Sequence, residues 1–207
     1  MWCAAHGGIG EQLGGGGLDE LDWHECQRCL AGDAEAGGRL LKRYESDIAR
    51  QMWRFTRDRA VQIELVQEVF VQAYLSLRRY SPRKTPFLHW LRRIATRVGY
   101  QFWKREARRK RHAPLDGIDI AGPVAVASDA AAAALLHELL GQLCPSDRLV
   151  LTLVYFEECS MKEIADRAGW NVAMVKMRAM RARRRLRELI ERHPASEALM
   201  EMAHGTA

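Results

Sequence analysis

The sequence predicts an all-α fold, with two small helical domains joined by a flexible linker and a helix-turn-helix in the second domain. Three observations lead to this prediction. Apolar residues recur at helical spacing through most of the 207 residues, whereas strand-like alternation is not seen. A stretch rich in alanine, proline and glycine, residues 114–129, has no sustained period and separates the two halves. Downstream, residues 160–178 carry the cap and turn residues of a helix-turn-helix.

The predicted domain boundaries follow changes in composition. A glycine-rich N-terminal extension is expected to be disordered, because it lacks the apolar residues that a core requires. The predicted parts are the extension (1–19), the first domain (20–112), the linker (113–129), the helix-turn-helix domain (130–192) and a tail (193–207).

Helices of the first domain are predicted over residues 21–31, 36–55 and 61–77. A fourth is expected to begin with Thr85 as its cap and Pro86 at its first position, where the missing N–H of proline costs nothing. The residues expected to face the core in the third helix are Leu65, Val69, Phe70, Ala73, Tyr74 and Leu77. Those expected in the fourth are Phe87, Leu91, Ile94, Ala95, Val98 and Phe102.

Charge is concentrated in two places along the chain. The net charge of +6 favours a polyanionic partner. In two segments, residues 78–111 and 176–187, basic residues are dense and acidic residues are scarce. Two separate basic surfaces are typical of two contacts with one long anion such as a nucleic acid.

Each part of the predicted helix-turn-helix is explained by residues close to it in the sequence. Ser160 and Glu163 form a capping box at the start of its first helix. Gly169 occupies the sharp turn, since glycine accepts a positive φ without a Cβ clash. Asn171 caps the second helix, on which Val175 points inward. A plain helical hairpin is the alternative interpretation of the same pattern.

The five cysteines favour a reducing compartment, the cytoplasm, because their odd number and spacing form no disulfide framework. Cys26 and Cys29, near His24, match half of a zinc site or a redox pair. Their spacing on one face of a predicted helix favours half-buried thiols instead. We therefore expect no bound metal.

Several classes of protein are disfavoured by what the sequence lacks. A secretory signal would show a basic start followed by an apolar core, and the N-terminal sequence lacks this pattern. The longest apolar-rich run, 149–156, is too short to span a bilayer. No glycine-rich phosphate loop, paired metal-binding histidines or nucleophile motif is present. We therefore expect that the protein is not an enzyme, binds no cofactor and no small-molecule substrate, and does not insert directly into membranes.

Three segments in order, 64–70, 87–95 and 143–186, are similar to those of bacterial RNA polymerase sigma factors of the extracytoplasmic-function group. The resemblance covers roughly residues 20–192. It implies an alternative sigma factor that directs RNA polymerase to promoters, in a stress or envelope response. The implied partners are core RNA polymerase, promoter DNA and an anti-sigma factor.

The resemblance also implies roles for individual residues. Those expected to bind polymerase are Glu64, Gln67, Glu68 and Gln72. Those expected to contact the minus-ten element as single-stranded DNA are Arg93, Arg97, Tyr100, Trp103 and Lys104, which combine cations with flat side chains. Those expected at the minus-thirty-five element are Ala173, Met174, Lys176, Met177, Arg178 and Arg181, with arginine able to bond guanine bidentately.

The chain departs from the family pattern at several of these positions. Glu64 stands where aspartate is usual, and Arg97 where asparagine is common. Ala173 and Met174 replace a frequent Gly-Thr pair, and Met177 replaces a frequent serine. The promoter sequence therefore does not transfer from the family, and the methionines suggest apolar contact with thymine methyl groups.

A second function fits much of the same pattern. A conventional helix-turn-helix regulator would bind duplex DNA without polymerase and would use the same second domain. The predicted polymerase-binding helix, residues 61–77, distinguishes the two interpretations, because an ordinary regulator does not need it.

Overall fold

The computed structural model describes residues 15–112 and 129–193, and the regular structure within these ranges is helical, as predicted. Outside the described residues lie residues 113–128 of the predicted linker (113–129) and most of the predicted extension and tail. The elements are α1 (Gly15–Leu30), α2 (Ala34–Met52), α3 (Arg59–Ser76), a 3₁₀ turn (Leu77–Arg79), α4 (Phe87–His112), α5 (Asp129–Gly141), α6 (Pro145–Tyr155), α7 (Met161–Ala168) and α8 (Val172–Arg192).

The chain divides into two compact units, the first ending at Gly99 and the second beginning at Tyr100. This division falls inside α4, so the N-terminal half of that helix belongs to the first unit and the C-terminal half to the second. Within the described ranges, no helix combines the length and the apolar character needed to cross a membrane.

Capping residues explain where the helices of the first unit begin. Asp33 accepts hydrogen bonds from the backbone of Glu35 and Ala36, so α2 starts two residues before the predicted position. Asp58 does the same for α3, through the backbone N–H groups of Ala60 and Val61. Both caps are local, and the apolar spacing does not reveal them because it starts only inside each helix.

The core of the first unit lies between α2, α3 and the first half of α4. Ile48, Met52 and Leu91 are fully buried there. Gln51 links two helices, because its amide donates to the Thr96 hydroxyl (3.1 Å) and to the Arg92 carbonyl (3.3 Å). Close helix packing also depends on a glycine: a Cβ on Gly99 would lie 2.4 Å from the ring of Phe55.

An aromatic cluster joins the 3₁₀ turn to the start of α4. Tyr80 packs against Phe87 and Trp90 with ring centroids 5.2 and 5.1 Å apart, and Tyr44 of α2 lies 5.4 Å from Phe87. Such tilted and edge-on ring pairs are favoured by the aromatic quadrupole. The cluster holds the loop between the 3₁₀ turn and α4 at a defined place.

The outer face of α3 departs from the sequence prediction. Tyr74 was expected in the core, and this prediction is wrong, since its side chain is 62% exposed. Val71 and Leu75 are also exposed, the latter at 71%. Apolar residues occupy every side of α3, so helical spacing alone does not show which of them face the core.

The core of the second unit forms where α5, α6 and α8 meet. Its central residues are Leu140, Leu143, Leu151 and Ala182, with Leu136, Leu186 and Leu189 at the edge. Ile164 of α7 and Val175 of α8 are fully buried beside it. The predicted inward orientation of Val175 is confirmed.

Candidate nucleic-acid interface

The predicted helix-turn-helix is formed by α7, a three-residue turn and α8. The backbone N–H of Glu163 donates to the Ser160 hydroxyl (3.2 Å), and the Ser160 N–H donates to the Glu163 carboxylate (2.8 Å). This reciprocal pair is the predicted capping box. Gly169 ends α7 in the left-handed region, with φ of 71°, and the N–H of Trp170 bonds the Ala165 carbonyl at 2.8 Å.

The second helix of the motif, α8, begins as predicted. The Asn171 side-chain oxygen accepts a hydrogen bond from the backbone of Met174 at 2.7 Å. Val175, Ala179 and Ala182 form its buried stripe and pack α8 against α6 and α7. The face of α8 opposite this stripe is therefore available for contacts outside the domain.

Arginines on one side of α8 converge on a single buried carboxylate. Asp147, in the first turn of α6, is 0% exposed. It accepts two hydrogen bonds from Arg181, at 2.9 and 3.2 Å, and one from Arg185 at 3.5 Å. Burial alone would raise the pKa of Asp147, but the hydrogen bonds from Arg181 and Cys144 and the nearby charges hold it below its usual value.

Arg178 is enclosed by the same end of α6. Its guanidinium donates to the Ser146 hydroxyl, lies 4.0 Å from the Asp147 carboxylate and stacks over the Trp170 ring at 4.7 Å. Arg178 and Arg181 were both predicted to contact DNA. In this structure both side chains have partners within their own domain.

The remaining residues predicted at the minus-thirty-five element differ in accessibility. Ala173, Lys176 and Met177 are exposed on α8, and Met174 is half-buried. The structure adds Met180 to this surface, a residue that the sequence reasoning did not single out. Its place three residues after Met177 was the available signal, since that spacing puts both on one face of a helix.

The residues predicted at the minus-ten element lie along α4. Arg97 is exposed, and Arg93 is half-buried. Tyr100, in the second unit, makes an edge contact with Trp170 at 5.6 Å, and the Lys104 ammonium lies 5.5 Å from the Tyr100 ring centre. Burial raises the pKa of the Tyr100 hydroxyl. Tyr100 thus keeps a cation beside a partly exposed ring.

Trp103 has a different environment from the other predicted minus-ten residues. It is only 4% exposed, and the Arg148 guanidinium lies 4.0 Å above its ring centre. Arg148 also approaches His137, with 3.3 Å between the nearest nitrogens. In this conformation the ring face that would receive a base is already covered by an arginine.

The residues predicted to bind polymerase lie on the outer side of α3. Glu64, Gln67 and Gln72 are exposed, and Glu68 is half-buried. The exposed Val71, Tyr74 and Leu75 lie among them, so this surface is more apolar than the sequence reasoning assumed. Beside it lies an apolar groove of about 400 Å³, whose lining includes Leu40, Leu41, Gln67, Phe70 and Tyr74.

The cysteine pair on α1 has the environment of plain thiols. Cys26 and Cys29 are both buried, and burial, with the nearby Asp22 carboxylate, raises the pKa of Cys26 to about 12. A thiol with such a pKa is a poor nucleophile near neutral pH, because the thiolate is the reactive form. Among the described residues, no group of three or more His, Cys, Asp and Glu side chains is placed to hold a metal ion.

Two family models match the chain in sequence order. The first, described as Sigma-70 region 2, matches residues 40–109, and the second, Sigma-70 region 4, matches residues 133–186. Together they cover more than half of the 207 residues. The first match contains α3 and nearly all of α4, and the second contains the helix-turn-helix.

Individual proteins give a consistent comparison. The chain is 31% identical to a probable RNA polymerase sigma factor, RfaY, of Xanthomonas campestris, over 84% of the chain and 46% of RfaY. It is 26% identical to the ECF RNA polymerase sigma factor SigE of Mycolicibacterium smegmatis, over 77% of the chain and 63% of SigE. The chain thus spans about half to two thirds of the length of these relatives.

The fold resembles that of a solved structure, a co-crystal of the sigma factor RpoE with the anti-sigma factor NepR from Bartonella quintana. The TM-score is 0.52 and the identity is 18%, over 75% of this chain and 96% of the other. At this identity the likeness concerns the fold alone.

Proposed function

Because the chain belongs to the sigma-70 family, we propose that it is an alternative sigma factor of the extracytoplasmic-function group. It binds core RNA polymerase in the cytoplasm, directs it to promoters and initiates transcription, in a stress or envelope response. It catalyses no reaction itself and needs no cofactor. The observation that carries this proposal is the occurrence of region 2 and region 4, in that order, in one chain.

The proposed polymerase contact is the outer face of α3. Glu64, Gln67 and Gln72 provide hydrogen-bonding groups there, and Glu68 lies at the edge. The exposed Leu75 and Tyr74 supply the apolar area that a stable protein interface buries at its centre. Since apolar side chains of this size are costly to leave in water, their grouping supports a protein partner at this face.

The proposed minus-ten contact is the basic and aromatic surface of α4. Arg93, Arg97 and Lys104 would follow the phosphates, while Tyr100 would stack on an unpaired base. Trp103 can take the same role only after Arg148 leaves its ring. Holding bases outside the duplex would couple sequence recognition to strand separation.

The proposed minus-thirty-five contact is α8, lying in the major groove of duplex DNA. Ala173, Met174, Met177 and Lys176 lie at or near its exposed surface. Arg178 and Arg181 also belong to this contact, and each would touch DNA while it stays bound to residues at the start of α6.

We further propose that an anti-sigma factor regulates this chain. The support is the fold that it shares with RpoE of Bartonella quintana, which was crystallised with the anti-sigma factor NepR. A protein inhibitor would also cover exposed apolar residues of the kind seen on α3, such as Leu75.

Run-off transcription tests the main proposal. The full chain is added to purified core polymerase and to a pool of genomic promoter fragments from the source organism. Transcripts that start at defined sites only when the chain is present would support a sigma factor. Duplex binding without polymerase, together with no transcripts and no association with core enzyme, would instead favour a conventional helix-turn-helix regulator.

A further inference from the structure

The outward face of α8 is apolar at its centre. Met177 is 65% exposed and Met180 is 69% exposed, more than the other large apolar side chains of the second unit within the described residues. With the exposed Ala173, they follow the i, i+4, i+7 spacing that places side chains along one stripe of a helix. This stripe lies opposite the buried residues Val175 and Ala179.

Three arginines on one side of this stripe are directed toward the domain. Arg178, Arg181 and Arg185 lie on the flank of α8 that faces α6, where the Asp147 carboxylate holds them. Arg178 is also restrained by Ser146 and Trp170. An arginine that left to bond a base would weaken the compensation of a fully buried charge, which is costly.

Cations surround the methionine stripe on its solvent-facing sides. Lys176, Arg184 and Arg187 are exposed, and Arg183 is exposed while donating to the Tyr155 hydroxyl. A surface with an apolar centre and cationic borders is complementary to a DNA groove, whose phosphates line the edges of the base surface. The same surface is unsuited to an apolar protein groove, because several cations would have to be desolvated.

A thioether offers no hydrogen-bond donor and only a weak acceptor to the base edges. In the major groove, the apolar group available to it is the C5-methyl of thymine. Methionine is also flexible enough to fit around a methyl group. A guanine or cytosine placed against the stripe would lose hydrogen bonds to water without replacement, which disfavours these bases there.

We infer that Met177 and Met180 determine sequence preference in the minus-thirty-five element by contacting thymine methyl groups, with Asp147 keeping the flanking arginines on phosphates or in the domain. The inference rests on the proposed function and names what α8 recognises. Met180 then has a role in specificity, and Arg178 and Arg181 do not recognise bases directly.

Deoxyuridine substitution tests this inference, because deoxyuridine lacks only the C5-methyl of thymidine. Duplexes are first selected from a random library with holoenzyme reconstituted from the full chain and core polymerase. Each thymidine of the selected upstream element is then replaced singly by deoxyuridine. We expect the affinity of the holoenzyme to fall about fourfold per methyl contact at one or two positions.

Matched variants connect the effect to the methionines. In Met177→Ala with Met180→Ala, thymidine and deoxyuridine duplexes should bind equally, and circular dichroism should be unchanged because both side chains are exposed. Lys176→Ala is the control: it should weaken binding to both duplexes alike and keep the preference for thymidine.

Other outcomes would overturn the inference. Equal binding of thymidine and deoxyuridine duplexes by the unchanged holoenzyme would contradict it directly. So would a methyl preference that survives the double substitution, or a loss of guanine preference at a single position in Arg178→Ala. If the selection enriched no sequence at all, the proposed function would fail first, and this inference with it.

Discussion

The Asp147 carboxylate, at the start of α6, accepts two hydrogen bonds from the Arg181 guanidinium in the middle of α8, at 2.9 and 3.2 Å. The two residues are 34 positions apart in the sequence, so this contact ties the start of α6 to α8. This bidentate geometry is the strong form of a charge-assisted hydrogen bond. It makes Asp147 a residue on which both the stability and the arginine arrangement of α8 depend.

Replacing Asp147 by Asn should destabilise the chain by about 2 kcal/mol. This cost is smaller than that of breaking a fully buried ion pair, because the arginines are partly exposed and can be hydrated again. Urea unfolding at neutral pH measures the change, with Glu188→Gln as an exposed control on the same helix. Equal stability of the two variants would contradict a structural role for Asp147.

The Asp147 pair also predicts the direction of a pH dependence. The folded-state pKa of Asp147 lies below its unfolded value of about 3.9. The stabilisation is therefore complete above that value and is lost as the pH falls through the folded pKa. In Asp147→Asn the stability lost on protonation of Asp147 should no longer contribute to acid unfolding. Unfolding curves recorded between neutral pH and about pH 2 measure this difference.

Gly99→Ala should destabilise the first unit by about 1–3 kcal/mol. The added Cβ would lie 2.4 Å from the buried ring of Phe55, and such overpacking forces side chains from their preferred rotamers. Gly38→Ala is a matched control, since a Cβ there meets nothing within 4 Å and alanine favours the helix. Thermal melts should therefore move in opposite directions for the two variants.

Leu75→Glu should weaken binding to core polymerase at least tenfold while leaving the fold intact. Leu75 is exposed on the proposed docking face, so a charge there would be desolvated only in the complex. Leu21→Glu, at an exposed position on α1, is the control and should bind normally. A titration of core enzyme in which both variants bind equally would place the docking face elsewhere.

Trp103→Ala should cost about 3–5 kcal/mol of folding stability, because the ring is buried beneath Arg148. Trp53→Ala, at an exposed tryptophan, should cost much less. Thermal denaturation of both variants provides the comparison. A Trp103 variant as stable as the Trp53 variant would mean that the ring is solvent-accessible in solution.

Tyr100→Ala separates base stacking from folding, since Tyr100 is only half-buried. We expect normal closed-complex binding and reduced opening of the promoter, measured by permanganate footprinting. A template already mismatched across the minus-ten element should restore part of the activity, because the cost of melting is removed. Normal opening by a stable Tyr100 variant would contradict the stacking role.

The cysteines of α1 should react slowly in the folded protein. Because burial raises the pKa of Cys26 to about 12, its thiolate is scarce near neutral pH. Iodoacetamide labelling followed by mass spectrometry should modify the half-buried Cys144 before Cys26 or Cys29. Rapid labelling of Cys26 without denaturant, or stoichiometric zinc in the purified protein, would contradict the assignment as plain thiols.

The sequence by itself determined the features that depend on neighbouring residues. Three local features are the capping box of Ser160 and Glu163, the left-handed Gly169 and the Asn171 cap, and each depends only on residues a few positions apart. Such interactions are short in range, so residue type and spacing are enough to predict them. The same holds for the all-α fold, which follows from the periodic apolar positions.

Only the tertiary structure decided which outward residues are accessible. The family resemblance assigned Arg181 and Trp103 to DNA-contacting surfaces, but Asp147 and Arg148 contact them from distant parts of the sequence. Conversely, Tyr74 follows the apolar spacing of α3 and yet is exposed. Periodicity describes one helix at a time, whereas burial depends on which helices pack around it and on where buried charges find their partners.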